Sequence, residues 1–77
     1  MAKKVVLAGF HSVSARLRHS PASIEVVYVD ATRRDVRMRD LRARIEAAGV
    51  KTMAADATRL AGLAGEVPHQ GVVALAA

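Results

Sequence analysis

The sequence predicts an α/β fold, a three-layer α/β/α sandwich in which helices cover a central four-stranded sheet. Two observations carry this. Short β-branched apolar runs alternate with segments of helical periodicity, and nearly every junction holds a glycine, a proline or an aspartate. Three strand-helix-strand steps with short connections leave room for one domain and no internal repeat.

The first strand is residues 4–8, Lys-Val-Val-Leu-Ala, too short for a helix and ended by Gly9, which can take a turn conformation closed to other residues. A short helix follows over residues 11–18. Val13 and Leu17 stand four apart in it, Ser12 is its expected N-cap, and Ser20-Pro21 stops it. Residues 24–29, Ile-Glu-Val-Val-Tyr-Val, are nearly continuous in apolar character, as a strand covered on both faces should be, and Asp30 closes them.

The clearest helix is expected over residues 35–48. Met38, Leu41, Ile45 and Ala48 fall at spacings of three, four and three, which builds one apolar face. Asp35 with Arg39, Asp40 with Arg44, and Arg42 with Glu46 are expected i,i+4 ion pairs on the wet sides. Gly49 ends the helix. A third strand is predicted over residues 50–54, then a helix capped by Asp56, carrying Leu60 and Leu63 and ended by Gly65. Pro68 separates it from a last strand over residues 71–76.

Composition narrows the function classes. Seventy-seven residues make one domain with a modest core. The absence of cysteine excludes disulfides and thiolate chemistry. The longest apolar run, residues 72–77, is far below the roughly 20 residues that span a bilayer, and no leader pattern opens the chain. A soluble, cytoplasmic protein with no membrane partner is expected. Twelve Lys/Arg against seven Asp/Glu give a net charge of +5, suited to a polyanionic partner.

Six arginines lie between Arg33 and Arg44, where guanidinium forks can grip phosphates. Arg39, Arg42 and Arg44 equally suit a solvated helix face laced with ion pairs. Arg33, Arg34 and Arg37 have less acid nearby and are the stronger phosphate candidates. His11 stands at a helix opening, where free amides favour an anion, yet it can also lock the turn. His69 and Gln70 carry the same two readings, as phosphate or base donors or as partners of loop carbonyls. His11, His19 and His69 have no metal-ligand spacing, so no metal site is expected. No glycine-rich phosphate loop and no nucleophile motif is present. The aromatics are Phe10 and Tyr28, so stacking on bases is not expected to carry recognition.

Two segments carry a family likeness. Leu7-Ala8-Gly9-Phe10-His11-Ser12-Val13 and Pro68-His69-Gln70-Gly71-Val72-Val73-Ala74 resemble the opening and closing signatures of the substrate-binding domain of SpoU/TrmH-type RNA ribose 2'-O-methyltransferases, closest to the ribosomal RNA guanosine branch. The likeness covers nearly all of the chain. It implies a mixed sheet whose last strand runs antiparallel, similar to the ribosomal L30e/L7Ae-like RNA-binding fold. It also implies an RNA substrate-binding domain over residues 1–77, which holds ribosomal RNA for a linked catalytic domain lying beyond Ala77. The apolar C-terminal run fits a polypeptide that continues.

On that reading the chain has no catalytic residue and no cofactor of its own. S-adenosylmethionine belongs to the parent enzyme, which is expected to be a homodimer, whereas the isolated domain is expected to be a monomer. The RNA-contacting residues are expected to be His11, Arg16, Arg18, Arg33, Arg34, Arg37, His69 and Gln70. Two other readings stay open from the residues: a stand-alone ribosome- or RNA-associated accessory protein of the same fold, and a small ligand-binding or dimerising regulatory domain whose apolar termini form an intersubunit sheet edge.

Overall fold

The computed structural model describes residues 4–77. In chain order they form β1 (Val5–Ala8), α1 (Phe10–His19), a 3-10 turn (Pro21–Ser23), β2 (Ile24–Asp30), α2 (Val36–Ala47), β3 (Thr52–Ala55), α3 (Ala57–Ala64) and β4 (Val72–Ala76). Every predicted element is present, and the boundaries differ by one or two residues.

The strands make one mixed sheet in the order β1-β4-β2-β3. The parallel pair is β2 with β3, joined by the crossover helix α2, as parallel neighbours require. β4 runs antiparallel to both β1 and β2, so that Ala74 faces Leu7 on one side and Val27 on the other.

Alternation along the strands sends side chains into two apolar clusters. Val27, Val29, Val72, Ala74 and Ala76 pack with Phe10, Val13 and Leu17 of α1 and with Met38, Leu41 and Ile45 of α2. Val26, Tyr28 and Val73 pack instead with Leu60 and Ala64 of α3. Since helices cover both sets of side chains, β4 and residues 26–29 of β2 are almost wholly buried, which is why these stretches read as apolar runs, whereas Glu25 of β2 is exposed.

This placement corrects one expectation. β4 is an interior strand, paired on both sides and almost wholly buried, so the C-terminal apolar run is core and cannot serve as a free sheet edge. The edges are β1 and β3, where Val5, Val6 and Met53 are exposed.

Three local expectations change as well. α1 begins at Phe10 with Gly9 as its N-cap, not at Ser12. α2 ends at Ala47, and Ala48 is an exposed C-cap residue instead of a core residue. The end of α2 is a Schellman turn: Gly49 (φ 72°) donates its amide to the Glu46 carbonyl and Val50 donates to Ile45. Val50 is thereby committed to the helix stop, and the third strand starts at Thr52 rather than Val50. The Asp56 cap is as expected, its carboxylate accepting from the Arg59 amide at 2.8 Å.

None of the three expected i,i+4 ion pairs on α2 forms among the described residues. The ion pairs there are Lys4 with Glu25 at 3.5 Å and Arg33 with Asp35 at 2.8 Å. Asp35 is extended (φ −71°, ψ 163°) as the N-cap of α2, so it meets the arginine of the preceding loop and not Arg39 one turn on.

Candidate nucleic-acid interface

Three connections converge at one end of the sheet, because β1 and β2 end where β4 begins. The Gly9 amide donates to the Val72 carbonyl at 3.0 Å, and the Asp30 amide donates to the Gly71 carbonyl at 2.8 Å. These bonds bring together the start of α1, the β2–α2 loop and the α3–β4 loop. The two signature segments of the sequence are therefore neighbours in space.

Two glycines make the approach possible. A Cβ on Gly9 (φ 90°) would stand 3.2 Å from the Gln70 amide oxygen, and one on Gly71 (φ 88°) would stand 3.0 Å from Arg33 Cδ and 3.3 Å from Asp30 Cβ. Both need positive φ and both need the missing side chain. Between them Gln70 is itself left-handed, with φ 53°. Its neighbours hold it there: Oε1 accepts from the Phe10 amide at 3.2 Å, and its carbonyl accepts from the Arg33 guanidinium.

Arg33 is the most heavily engaged cation of this cluster. Nε and Nη2 donate to the two Asp35 carboxylate oxygens at 2.9 and 2.8 Å, a bidentate fork, while Nη1 serves Gln70. The guanidinium also lies 4.8 Å from the centroid of the Phe10 ring, and Arg37 lies 4.4 Å from the same ring. The premise that Arg33 has little acid to occupy it is thus overturned. Arg34 and Arg37 are exposed and make no ion pair among the described residues.

Two carboxylates support the loop. Thr32 donates both its hydroxyl (2.6 Å) and its amide (2.9 Å) to Asp30, and these bonds, with the hydroxyl first, hold the Asp30 pKa below the ordinary aspartate value. The Arg33 fork does the same for Asp35. His69 Nδ1 accepts the Gly71 amide at 3.0 Å, which leaves the ring proton on Nε2. His69 and Gln70 thus each serve a backbone amide, while Gln70 remains exposed and His69 half-buried.

The remaining predicted residues divide between two sides of α1. His11 and Arg18 line a cleft of about 280 Å³ between α1 and α2, together with Phe10, Ser14, Arg37, Asp40, Leu41 and Arg44. Arg16 faces the other way, where it donates to the Ser23 hydroxyl at 3.3 Å and lines a shallow groove with Leu7 and His19, which His11 also borders. Arg34 belongs to a third depression along α2, with Arg33, Arg39 and Arg42. Sequence reasoning passed over Ser14, set Arg44 aside as part of an ion-paired helix face, and missed Phe10 as the ring beneath two arginines. The signal was available, since residues 37, 40, 41 and 44 stand at one-face helical spacing, as do 11, 14 and 18.

A family described as "RNA 2'-O ribose methyltransferase substrate binding" matches residues 6–77, a stretch that holds both signatures and the loops between them. The chain belongs to that family. Among curated proteins it is 54% identical over 76 residues to the 23S rRNA (guanosine-2'-O-)-methyltransferase RlmB of Ralstonia nicotianae, covering 99% of this chain and 30% of that protein. It is likewise 54% identical over 76 residues to the RlmB of Bordetella pertussis, covering 99% of this chain and 31% of the relative. The RlmB of Nitrosomonas europaea is 39% identical over 66 residues, covering 86% of this chain and 25% of the relative. The chain thus spans about 30% of the length of the curated relatives it matches.

Proposed function

We propose that this chain is the RNA-holding module of a ribosomal RNA 2'-O-methyltransferase. It would grip a structured region of large-subunit RNA while a linked domain carries S-adenosylmethionine and transfers the methyl group. The observation that carries this reading is the family match over residues 6–77, coupled to the convergence of both signatures at one cationic end of the sheet. Holding substrate in this way accelerates a reaction by orientation, at no chemical cost to the module itself. We read the packing of α1 and α2 in one cluster and of α3 in the other as a three-layer sandwich similar to the L30e/L7Ae-like RNA-binding fold.

His11, Arg16, Arg18, Arg34, Arg37, His69 and Gln70 are the proposed RNA contacts, with Arg33 chiefly setting the shape of the loops and offering its remaining edge. Phe10 and Tyr28 are buried and each lies under an arginine, so contact rests on charge and shape instead of base stacking. The parent is proposed to act in the cytoplasm as a homodimer, and the isolated chain to be a monomer. Among the described residues no helix is long and apolar enough to cross a membrane.

The test is a titration of the 77-residue chain with a set of folded hairpins from large-subunit ribosomal RNA, followed by amide shifts at several salt concentrations. Shifts should gather on the start of α1 and on the loops before α2 and β4, and log affinity should fall linearly with log salt. Shifts confined to α3, or affinity indifferent to salt, would overturn the reading.

A further inference from the structure

The cleft between α1 and α2 opens beside the signature loops and takes only Phe10 and His11 from the first signature segment. Its walls are two helices: His11, Ser14 and Arg18 come from α1, and Arg37, Asp40 and Arg44 from α2. Its floor is apolar, made by Phe10 and Leu41, both nearly inaccessible. Three guanidiniums face one carboxylate here. No arginine of the three is ion-paired among the described residues, so none is already neutralised by the protein. Arg37 is moreover held against the Phe10 ring at 4.4 Å, which stations its charge at the cleft without using its N–H donors.

Three unneutralised cations on opposed walls raise the energy of the free domain through mutual repulsion and lower it when an anion enters. A phosphodiester fits this setting, with oxygens for the guanidinium forks and for the Ser14 hydroxyl. Resting on the RNA reading above, we propose that the α1–α2 cleft seats a backbone phosphate of the RNA. Arg18, Arg37 and Arg44 are its charged donors, and Ser14 on α1 with Arg44 on α2 extends the RNA surface along the cleft. Contact of this kind fixes register and orientation and carries no sequence preference. RNA is favoured over an acidic protein because the family to which the chain belongs is described by RNA substrate binding.

The experiment compares the 77-residue chain with its Arg44→Gln, Arg44→Lys and Arg59→Gln variants against the same ribosomal RNA hairpins. Arg59 sits on α3 over Tyr28, on the opposite side of the sheet, and controls for net charge. Arg44→Gln should weaken binding about three- to tenfold across all hairpins and reduce the log-log salt slope by about 1, with Arg44→Lys retaining most of both. Arginine Nε–Hε signals of Arg18, Arg37 and Arg44 should move during titration with RNA, and denaturation midpoints should be unchanged because Arg44 is exposed. If the parent chain binds RNA and Arg44→Gln binds equally well with the same slope, the cleft assignment falls while the RNA reading stands. If the parent chain binds none of the hairpins, both fall. A polyglutamate peptide that moves the three arginine signals as far as RNA does, at equal charge concentration, would replace RNA by an acidic protein as the occupant.

Discussion

Gln70 caps a helix that begins sixty residues before it: its side-chain oxygen accepts the Phe10 amide at 3.2 Å, one of the first-turn amides that have no partner within the helix. The local N-cap is Gly9, which has no side chain to offer. Two signature segments, far apart in sequence, therefore complete one hydrogen-bonded unit.

Removal of that cap should be measurable. Gln70→Ala should cost about 1 to 2 kcal/mol, whereas Gln70→Glu keeps an acceptor and adds a negative charge at a helix N-terminus, so it should retain most of the stability at neutral pH. Denaturant midpoints that leave Gln70→Ala level with the parent would show that the bond contributes nothing.

Gly71 should be intolerant of a side chain for two separable reasons. Positive φ alone is expected to cost Gly71→Ala about 1 to 3 kcal/mol, and contact with Arg33 Cδ at 3.0 Å adds to it. Adding Arg33→Ala should relieve the contact and leave the strain. A double-mutant cycle checks this, with a coupling of zero as the outcome that disproves the contact.

Acid should loosen the loop before it loosens the core. The Thr32 bonds lower the pKa of Asp30, and the Arg33 fork lowers that of Asp35. A carboxylate whose folded pKa lies below its unfolded value contributes stability above the unfolded value, near pH 4, and that contribution is lost as pH falls through the lower folded value. Stability should accordingly be level from neutral pH down to about 5 and decline beneath about 4. Asp35→Asn should shrink that decline. Thermal midpoints against pH, with carboxyl chemical shifts as the site-specific readout, decide the matter.

The buried face of α2 predicts unequal neighbours. Leu41, 3% exposed, should cost about 2 to 4 kcal/mol on replacement by alanine, and exposed Arg42 under about 1 kcal/mol. Equal denaturation midpoints for Leu41→Ala and Arg42→Ala would contradict the packing described.

How far these features were legible depended on the distance over which each is set. Met38, Leu41 and Ile45 announce the core face of α2 because helical periodicity is a property of a dozen adjacent residues. Gly49 and Asp56 announce a helix stop and a helix start for the same reason, since Gly49 donates to the Glu46 carbonyl and Asp56 accepts from the Arg59 amide, each three residues away. The arginines were harder. Ranking them by acid nearby in sequence favoured Arg33 as unoccupied and set Arg44 aside, whereas the structure engages Arg33 with Asp35 and Gln70 and leaves Arg44 in a cleft with no ion pair among the described residues. Helical spacing of 37, 40, 41 and 44 would have been the better guide, since it says which residues share a wall.

Strand and helix identity, the apolar faces, the turn glycines and the family likeness were thus determined by the sequence alone, because each follows from local periodicity, local hydrogen bonding or a short signature. Tertiary structure alone decided that β4 lies between β1 and β2, that Gln70 caps α1, and that His11, Ser14 and Arg18 face Arg37 and Arg44 across a cleft. Those relationships depend on how a sheet orders its strands and where its loops converge, and no interval along the chain encodes the distance between residues that meet only after folding.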